Sequence, residues 1–175
     1  MKHMKKITKL FVGVFCALLL ATSAFAADTN AGSPESWVFT LAGTGATTTT
    51  TDSQSAFGVD LSIGRTGHLL LPIEAGVRQG VAYASGDGGS AVLDTSLYSD
   101  WTLLTIKKVD LFAGGNIGLA YGNTPLSWTV APEAGVRVWI KKNVALVGRL
   151  EYPFDINDGR AENTLRYVLG LAAKF

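Results

Sequence analysis

Asn163-Thr164-Leu165-Arg166-Tyr167-Val168-Leu169-Gly170-Leu171-Ala172-Ala173-Lys174-Phe175 is the stretch whose reading decides the fold. At a period of two, Leu165, Tyr167, Leu169, Leu171, Ala173 and Phe175 share one face, and Thr164, Arg166, Val168, Gly170, Ala172 and Lys174 share the other. Successive side chains of a strand point to opposite sides of its sheet, so this is a strand with one greasy face and one small or charged face. Its length suits a tilted strand crossing a bilayer, which takes roughly 9 to 11 residues.

The same alternation recurs upstream and predicts eight strands: 36–43, 56–64, 70–84, 92–106, 109–121, 126–140, 143–154 and the final 163–175. The second is the cleanest, with Phe57, Val59, Leu61 and Ile63 against Gly58, Asp60, Ser62 and Gly64. On the third, Gln79 interrupts an otherwise apolar face, for which the sequence offers no account. The fourth changes phase after Trp101, where Leu104 and Ile106 crowd the opposite face, so a bulge near Leu103 is expected. Pro132 cannot donate to a ladder, and a bulge or break is expected there in the sixth strand. Tight turns are expected at Arg65-Thr66-Gly67-His68, Lys107-Lys108 and Lys141-Lys142. Longer connections are expected at 44–55, 85–90, 122–125 and 155–162, rich in Gly, Asn, Asp and Thr. The threonine run 47–51 reads as a flexible polar loop in preference to an adhesive or glycan-bearing tip.

Alternation does not say which face points inward. A lipocalin-like soluble barrel buries the apolar phase, whereas a membrane barrel turns it out. Three features favour the membrane. The polar phase is mostly Gly, Ser and Ala with a few charges, which suits a lumen only just wide enough for side chains. Aromatic residues of the apolar phase fall at strand ends: Phe57, Tyr83, Tyr121, Trp128, Tyr152, Phe154 and Tyr167 toward one end, Trp37 and Phe175 toward the other, as expected of two interfacial girdles. Short turns alternate with longer connections, matching periplasmic turns and extracellular loops. The expected fold is therefore all-β, an eight-stranded antiparallel up-and-down transmembrane β-barrel.

On this closing strand, its final aromatic residue and the alternation before it, the chain resembles the small eight-stranded outer-membrane β-barrels (OmpA/OmpX-like). The resemblance implies residence in the bacterial outer membrane, contact with outer-membrane lipid, a monomer, and a closing strand, marked by Tyr167 and Phe175, that the barrel-assembly machinery reads. With short outer loops and no periplasmic domain expected after the barrel, neither peptidoglycan anchoring nor a specific adhesion role carries over.

Residues 1–26 read as a secretory signal peptide: Lys2, Lys5, Lys6 and Lys9, an apolar run from 10 to 21, and the small-x-small triplet Ala24-Phe25-Ala26. Cys16 lies in the apolar run, but Gly13-Val14-Phe15 before it lacks the pattern of a lipoprotein signal. Cleavage after Ala26 would remove the only cysteine and leave eleven basic residues against fourteen acidic ones, a net charge of −3. That balance suggests no nucleic-acid partner. Residues 27–35 read as a short periplasmic lead-in and 36–175 as one barrel domain. Charged residues in that mature part fall well below the usual quarter of a soluble domain.

Candidate chemistry is sparse. The mature part has one histidine, His68, in an expected turn on the periplasmic side, and no His-x-Ser motif of the kind found in lipid A deacylases and palmitoyl transferases. No metal site, cofactor or catalytic residue is expected: acidic residues do not cluster in a loop, and Gly43-Thr44-Gly45 lacks the context of a phosphate cradle. The leading expectation is a non-enzymatic envelope or surface scaffold presenting four extracellular loops. A small pore or conduit for ions or hydrophobic ligands is the alternative, and a lipid-modifying enzyme comes third.

One internal repeat carries a sharper expectation. Glu74-Ala75-Gly76-Val77-Arg78 returns as Glu133-Ala134-Gly135-Val136-Arg137. Within each copy Glu and Arg share the lumen face but stand four residues apart, roughly 13 Å, too far to pair. The strands run in opposite directions, so Glu74 should lie level with Arg137 and Arg78 with Glu133, with Arg149 and Glu151 close by. These six residues are expected to form a charge network that plugs the lumen.

Overall fold

The computed structural model describes residues 35–48, 55–85, 90–122, 126–156 and 164–175. The expected signal peptide, the lead-in up to residue 34 and most of the four longer connections lie outside the described residues. Nine strands follow in chain order: β1 Trp37–Thr48, β2 Ser55–His68, β3 Pro72–Ser85, β4 Ser90–Ile106, β5 Val109–Gly122, β6 Ser127–Lys141, β7 Val144–Glu151, β8 Phe154–Asp155 and β9 Thr164–Lys174. Both β7 and β8 pair with β6, through Glu133↔Glu151 and Val130↔Phe154, and are two pieces of one stave. The barrel therefore has eight staves. Each pairs antiparallel with its neighbours, and β9 returns to lie beside both β1 and β7. Among the described residues closure gives every long strand a neighbour on each side, and only the short β8 has a single partner.

The staves are staggered. Starting at Thr95 and following paired residues through Gln79, Leu61, Leu41, Leu171, Leu146, Val138 and Val109, the path returns to β4 at Ile106 instead of Thr95. Such a shear requires the strands to tilt, typically by about 35–45°.

The burial pattern decides the question that alternation left open. Along β2, Phe57, Val59, Leu61 and Ile63 are exposed while Asp60 and Ser62 are buried. Leu165, Tyr167, Leu169 and Leu171 of β9 are likewise exposed, and Val168 and Ala172 are buried. The apolar phase faces out around the whole barrel and the small or charged phase fills the inside.

Several boundaries differ from the expected ones. The β2–β3 turn is Leu69–Leu71, not Arg65–His68, because the ladder runs on through Arg65↔Ala75 to His68↔Pro72. Gly67, taken from the sequence as a turn signal, is a strand residue there. The β6–β7 turn falls one residue late, at Lys142 and Asn143, after an unexpected register shift between Trp139 and Lys141. β1 extends to Thr48, past the expected end at residue 43. The register shift on β4 lies between Thr102 and Leu104, as expected. Pro132 causes no bulge: its register with Gly115 is unshifted. The break appears instead in the neighbouring stave, at Tyr152 and Pro153, where the Tyr152 N–H donates to the Pro132 carbonyl at 3.1 Å and Pro132 has no N–H to return the bond.

Candidate functional site

The lumen has three layers. Nearest the tight turns, Val38, Phe112, Val147 and Ala172 meet in an apolar cluster drawn from β1, β5, β7 and β9. Beside it the Trp139 indole N–H donates to Asp110 at 2.6 Å and the Thr105 hydroxyl to the same carboxylate at 2.8 Å. Glycine makes room for this layer: a Cβ on Gly135 would run into the Phe112 ring.

Above lies the charged layer, where four of the six expected residues, Arg78, Glu133, Arg149 and Glu151, join in one cluster and the other two, Glu74 and Arg137, pair with each other. Arg78 of β3 reaches across the barrel to make two hydrogen bonds to Glu133 of β6, at 2.9 and 3.2 Å, and one to Glu151 of β7 at 3.1 Å. Arg149 donates to Glu151 at 2.5 Å and lies 3.5 Å from Glu133. Arg137 donates to Glu74 at 2.7 Å. The side chains of Arg78, Glu133 and Glu151 are almost wholly out of solvent, at 1, 0 and 2% exposure. Buried charges persist only when paired and hydrogen-bonded, and each of these carboxylates meets at least one guanidinium.

The layer also recruits residues that the repeat did not point to. Asp60 accepts from Arg149 at 3.2 Å and from Arg166 at 2.5 Å, and Arg166 also lies 3.5 Å from Asp94. Tyr98 donates to Glu74 at 2.8 Å, with its hydroxyl over Gly64, where a Cβ would collide with it. Asn116 donates to Glu133 at 3.1 Å, and Asp100 is buried in the same layer. The Arg78 guanidinium carbon sits 4.6 Å from the Tyr98 ring centre and that of Arg137 5.4 Å from the Phe112 ring centre, so both cations are stacked as well as paired. All the cations of this layer are arginine, whose planar fork matches carboxylates two bonds at a time. Strand parity was the available signal for the added members, since Asp60, Asp94, Tyr98, Asp100, Asn116 and Arg166 all belong to the polar phase of their strands.

Toward the loop end the lumen opens into a cavity of about 150 Å3. Its wall is made of small side chains such as Ala46, Ala56, Ala82 and Ala120, with Asp94, Arg166 and Glu151 among the lining residues. Thus, among the described residues, side chains of the apolar and charged layers meet across the lumen, and this cavity lies toward the loops.

On the outer face, Trp37, Phe57, Tyr83, Trp128, Phe154 and Tyr167 are exposed, and Tyr121 and Tyr152 are half-buried. Phe57 and Tyr83 pack with ring centres 5.9 Å apart, and Tyr152 and Phe154 edge to face at 5.0 Å. Gln79, unexplained by the sequence, is held by its neighbours: its amide donates to the Asp94 carbonyl at 2.8 Å and accepts from Thr95 at 2.6 Å, and Thr95 meets the Tyr121 hydroxyl at 3.0 Å. An amide on an apolar outer face is tolerable only with its bonds made, and these three strands make them. Phe175 is exposed and exchanges backbone hydrogen bonds with Trp37, at 2.9 and 3.0 Å. His68 ends β2 at the tight-turn end, exposed, away from the cavity. Among the described residues no group of three or more His, Cys, Asp or Glu is placed to hold a metal ion.

No family model matches the sequence, and no curated protein matches it. Solved structures do match the fold. Neisserial surface protein A aligns over 82% of this chain and 100% of its own, with a TM-score of 0.57 at 15% identity. Ail, the attachment invasion locus protein of Yersinia pestis, aligns over 82% of this chain and 100% of its own, with a TM-score of 0.51 at 14% identity. The chain has the fold of the small outer-membrane β-barrels. In such a barrel the apolar outer face is the lipid side and the packed lumen takes the place of a hydrophobic core.

Proposed function

We propose that the protein is a non-enzymatic integral protein of the bacterial outer membrane, a rigid scaffold that presents its loop end at the cell surface and serves envelope integrity or surface interaction. The observation that carries this reading is the inversion of faces: leucine, valine and aromatic side chains cover the outside, while paired arginines and carboxylates are buried within. That arrangement is unfavourable in water and favourable in a bilayer. A surface role accords with the names of two structural relatives, a surface protein and an attachment invasion locus protein. The closing strand, with Tyr167 and Phe175 on its lipid face, is the segment proposed to meet the assembly machinery. The pore alternative has little support, because the apolar cluster and the arginine network together fill the lumen below the cavity.

Two measurements test the proposal together. Unboiled protein in detergent should migrate differently from boiled protein on a gel, since a closed ladder resists unfolding until heated. Planar bilayers containing the folded protein should show no steady conductance. A water-soluble monomer with identical migration in both states overturns the membrane reading, and steady ion currents overturn the scaffold in favour of the pore.

A further inference from the structure

The three tight turns among the described residues differ in chemistry. Lys107–Lys108 joins β4 to β5, and Lys142 and Asn143, with Lys141 beside them, join β6 to β7; these are the charged turns expected where strands emerge into headgroups and water. The β2–β3 turn is Leu69-Leu70-Leu71, with Leu70 96% and Leu69 78% exposed. The β2–β3 ladder carries this turn beyond the last β1–β2 pair, Trp37↔Arg65, and the last β3–β4 pair, Ile73↔Trp101. The neighbouring stave is apolar at the same end: Leu103 and Leu104, two consecutive residues at the β4 bulge, are both exposed, as is Ile106. A turn left in water has no physical use for three leucines, each of which forgoes its transfer free energy there.

We infer that the Leu69-Leu70-Leu71 turn is a membrane anchor, inserted into the acyl chains of the periplasmic leaflet, so that the apolar belt reaches lower along β2–β4 than beside the two lysine turns. The occupant is lipid because the turn prolongs staves whose apolar faces the membrane reading turns to lipid, and the next stave exposes Leu103, Leu104 and Ile106 at the same end. The barrel then sits with its axis inclined toward this side, as hydrophobic mismatch demands of a belt taller on one side. This inference rests on the membrane reading given above.

Spin labels on single cysteines test it in the folded protein reconstituted into phosphatidylethanolamine–phosphatidylglycerol vesicles. Leu70→Cys reports the turn, Lys108→Cys a lysine turn and Leu169→Cys the middle of the belt. Labels at Leu70 and Leu169 should both collide readily with oxygen and severalfold less with a water-soluble nickel chelate than the label at Lys108. If Leu169 is shielded from nickel but Leu70 is as accessible as Lys108, the anchor is overturned and the membrane reading stands. Nickel access at Leu169 overturns the membrane reading itself. Shielding of Leu70 from both reagents marks a protein contact and also overturns the anchor. Leu69→Cys, on the same turn, repeats the measurement should Leu70→Cys fail to fold.

Discussion

The two copies of Glu-Ala-Gly-Val-Arg do unequal work. In the half of the lumen toward the loops, Arg78 of the first copy and Glu133 of the second form a two-bond pair, and Glu151, Arg149 and Asn116 crowd around it. Toward the turns, Glu74 and Arg137 share one hydrogen bond of 2.7 Å, with Tyr98 on the carboxylate and Phe112 beneath the guanidinium. Identical pentapeptides thus build a network at one level and an isolated pair at another. The difference comes from β7: its register puts Glu151 opposite Glu133 and Arg149 opposite Gly135, so the strand delivers its charges to the upper pair.

The largest effect should come from Arg78→Ala, which leaves Glu133 and Glu151 short of a cation in a site with 1% exposure. Stranding a buried charge costs about 3 to 5 kcal/mol, and urea unfolding in lipid vesicles should show a loss in that range. Arg137→Ala should cost less, about 3 kcal/mol or under, because only one carboxylate loses its partner and Glu74 keeps its bond from Tyr98. Equal losses from the two variants would erase the contrast between network and pair.

Double-mutant cycles sharpen it. Glu74 with Arg137 should couple favourably, within the range of about 0.5 to 3 kcal/mol usual for contacting residues. Arg78 with Glu133 should couple more strongly, and its coupling should fall when Arg149 is also removed, since Arg149 lies 3.5 Å from the same carboxylate. Additive losses for Glu74 and Arg137 would show that the shorter distance carries no energy.

The smallest effect belongs to the outer face. Gln79→Leu removes the amide from a hydrogen-bonded cluster but leaves Thr95 bonded to Tyr121 and adds apolar surface on the outer face. Losing one hydrogen-bond partner is cheap where the group left behind keeps another bond, as Thr95 does with Tyr121, so the midpoint of heat-induced gel mobility change should move by the equivalent of less than about 1 kcal/mol. A loss as large as that of Arg137→Ala would mean that the three-strand cluster holds the staves in register.

How far the site could be read in advance differs from residue to residue. Glu74 and Arg137, and Arg78 and Glu133, were legible because an inverted repeat on antiparallel strands sets their heights by counting. Arg166 and Asp60 carried the right parity but no repeat, and they meet across β1, a contact that belongs to the curvature of the closed sheet. Gln79 looked like an error on an apolar face until Thr95 and Tyr121 were brought beside it by the β3–β4 and β4–β5 registers. The β2–β3 turn was misplaced because Arg65-Thr66-Gly67-His68 has turn composition, whereas the actual turn is leucine, which is not among the residues that favour turns.

The alternation of side chains, written residue by residue, was enough to establish eight staves, because a period of two is a property of the strand alone. Which face turns inward was favoured by the small polar phase, the aromatic strand ends and the alternating turn lengths, and was decided by the burial pattern. Partnership across the lumen was decided by closure: shear and tilt fix which residues of β3, β6 and β7 share a height, and no single strand contains that information. The same holds for the leucine turn, whose apolar surface acquires a meaning only beside the two lysine turns at the same end of the barrel.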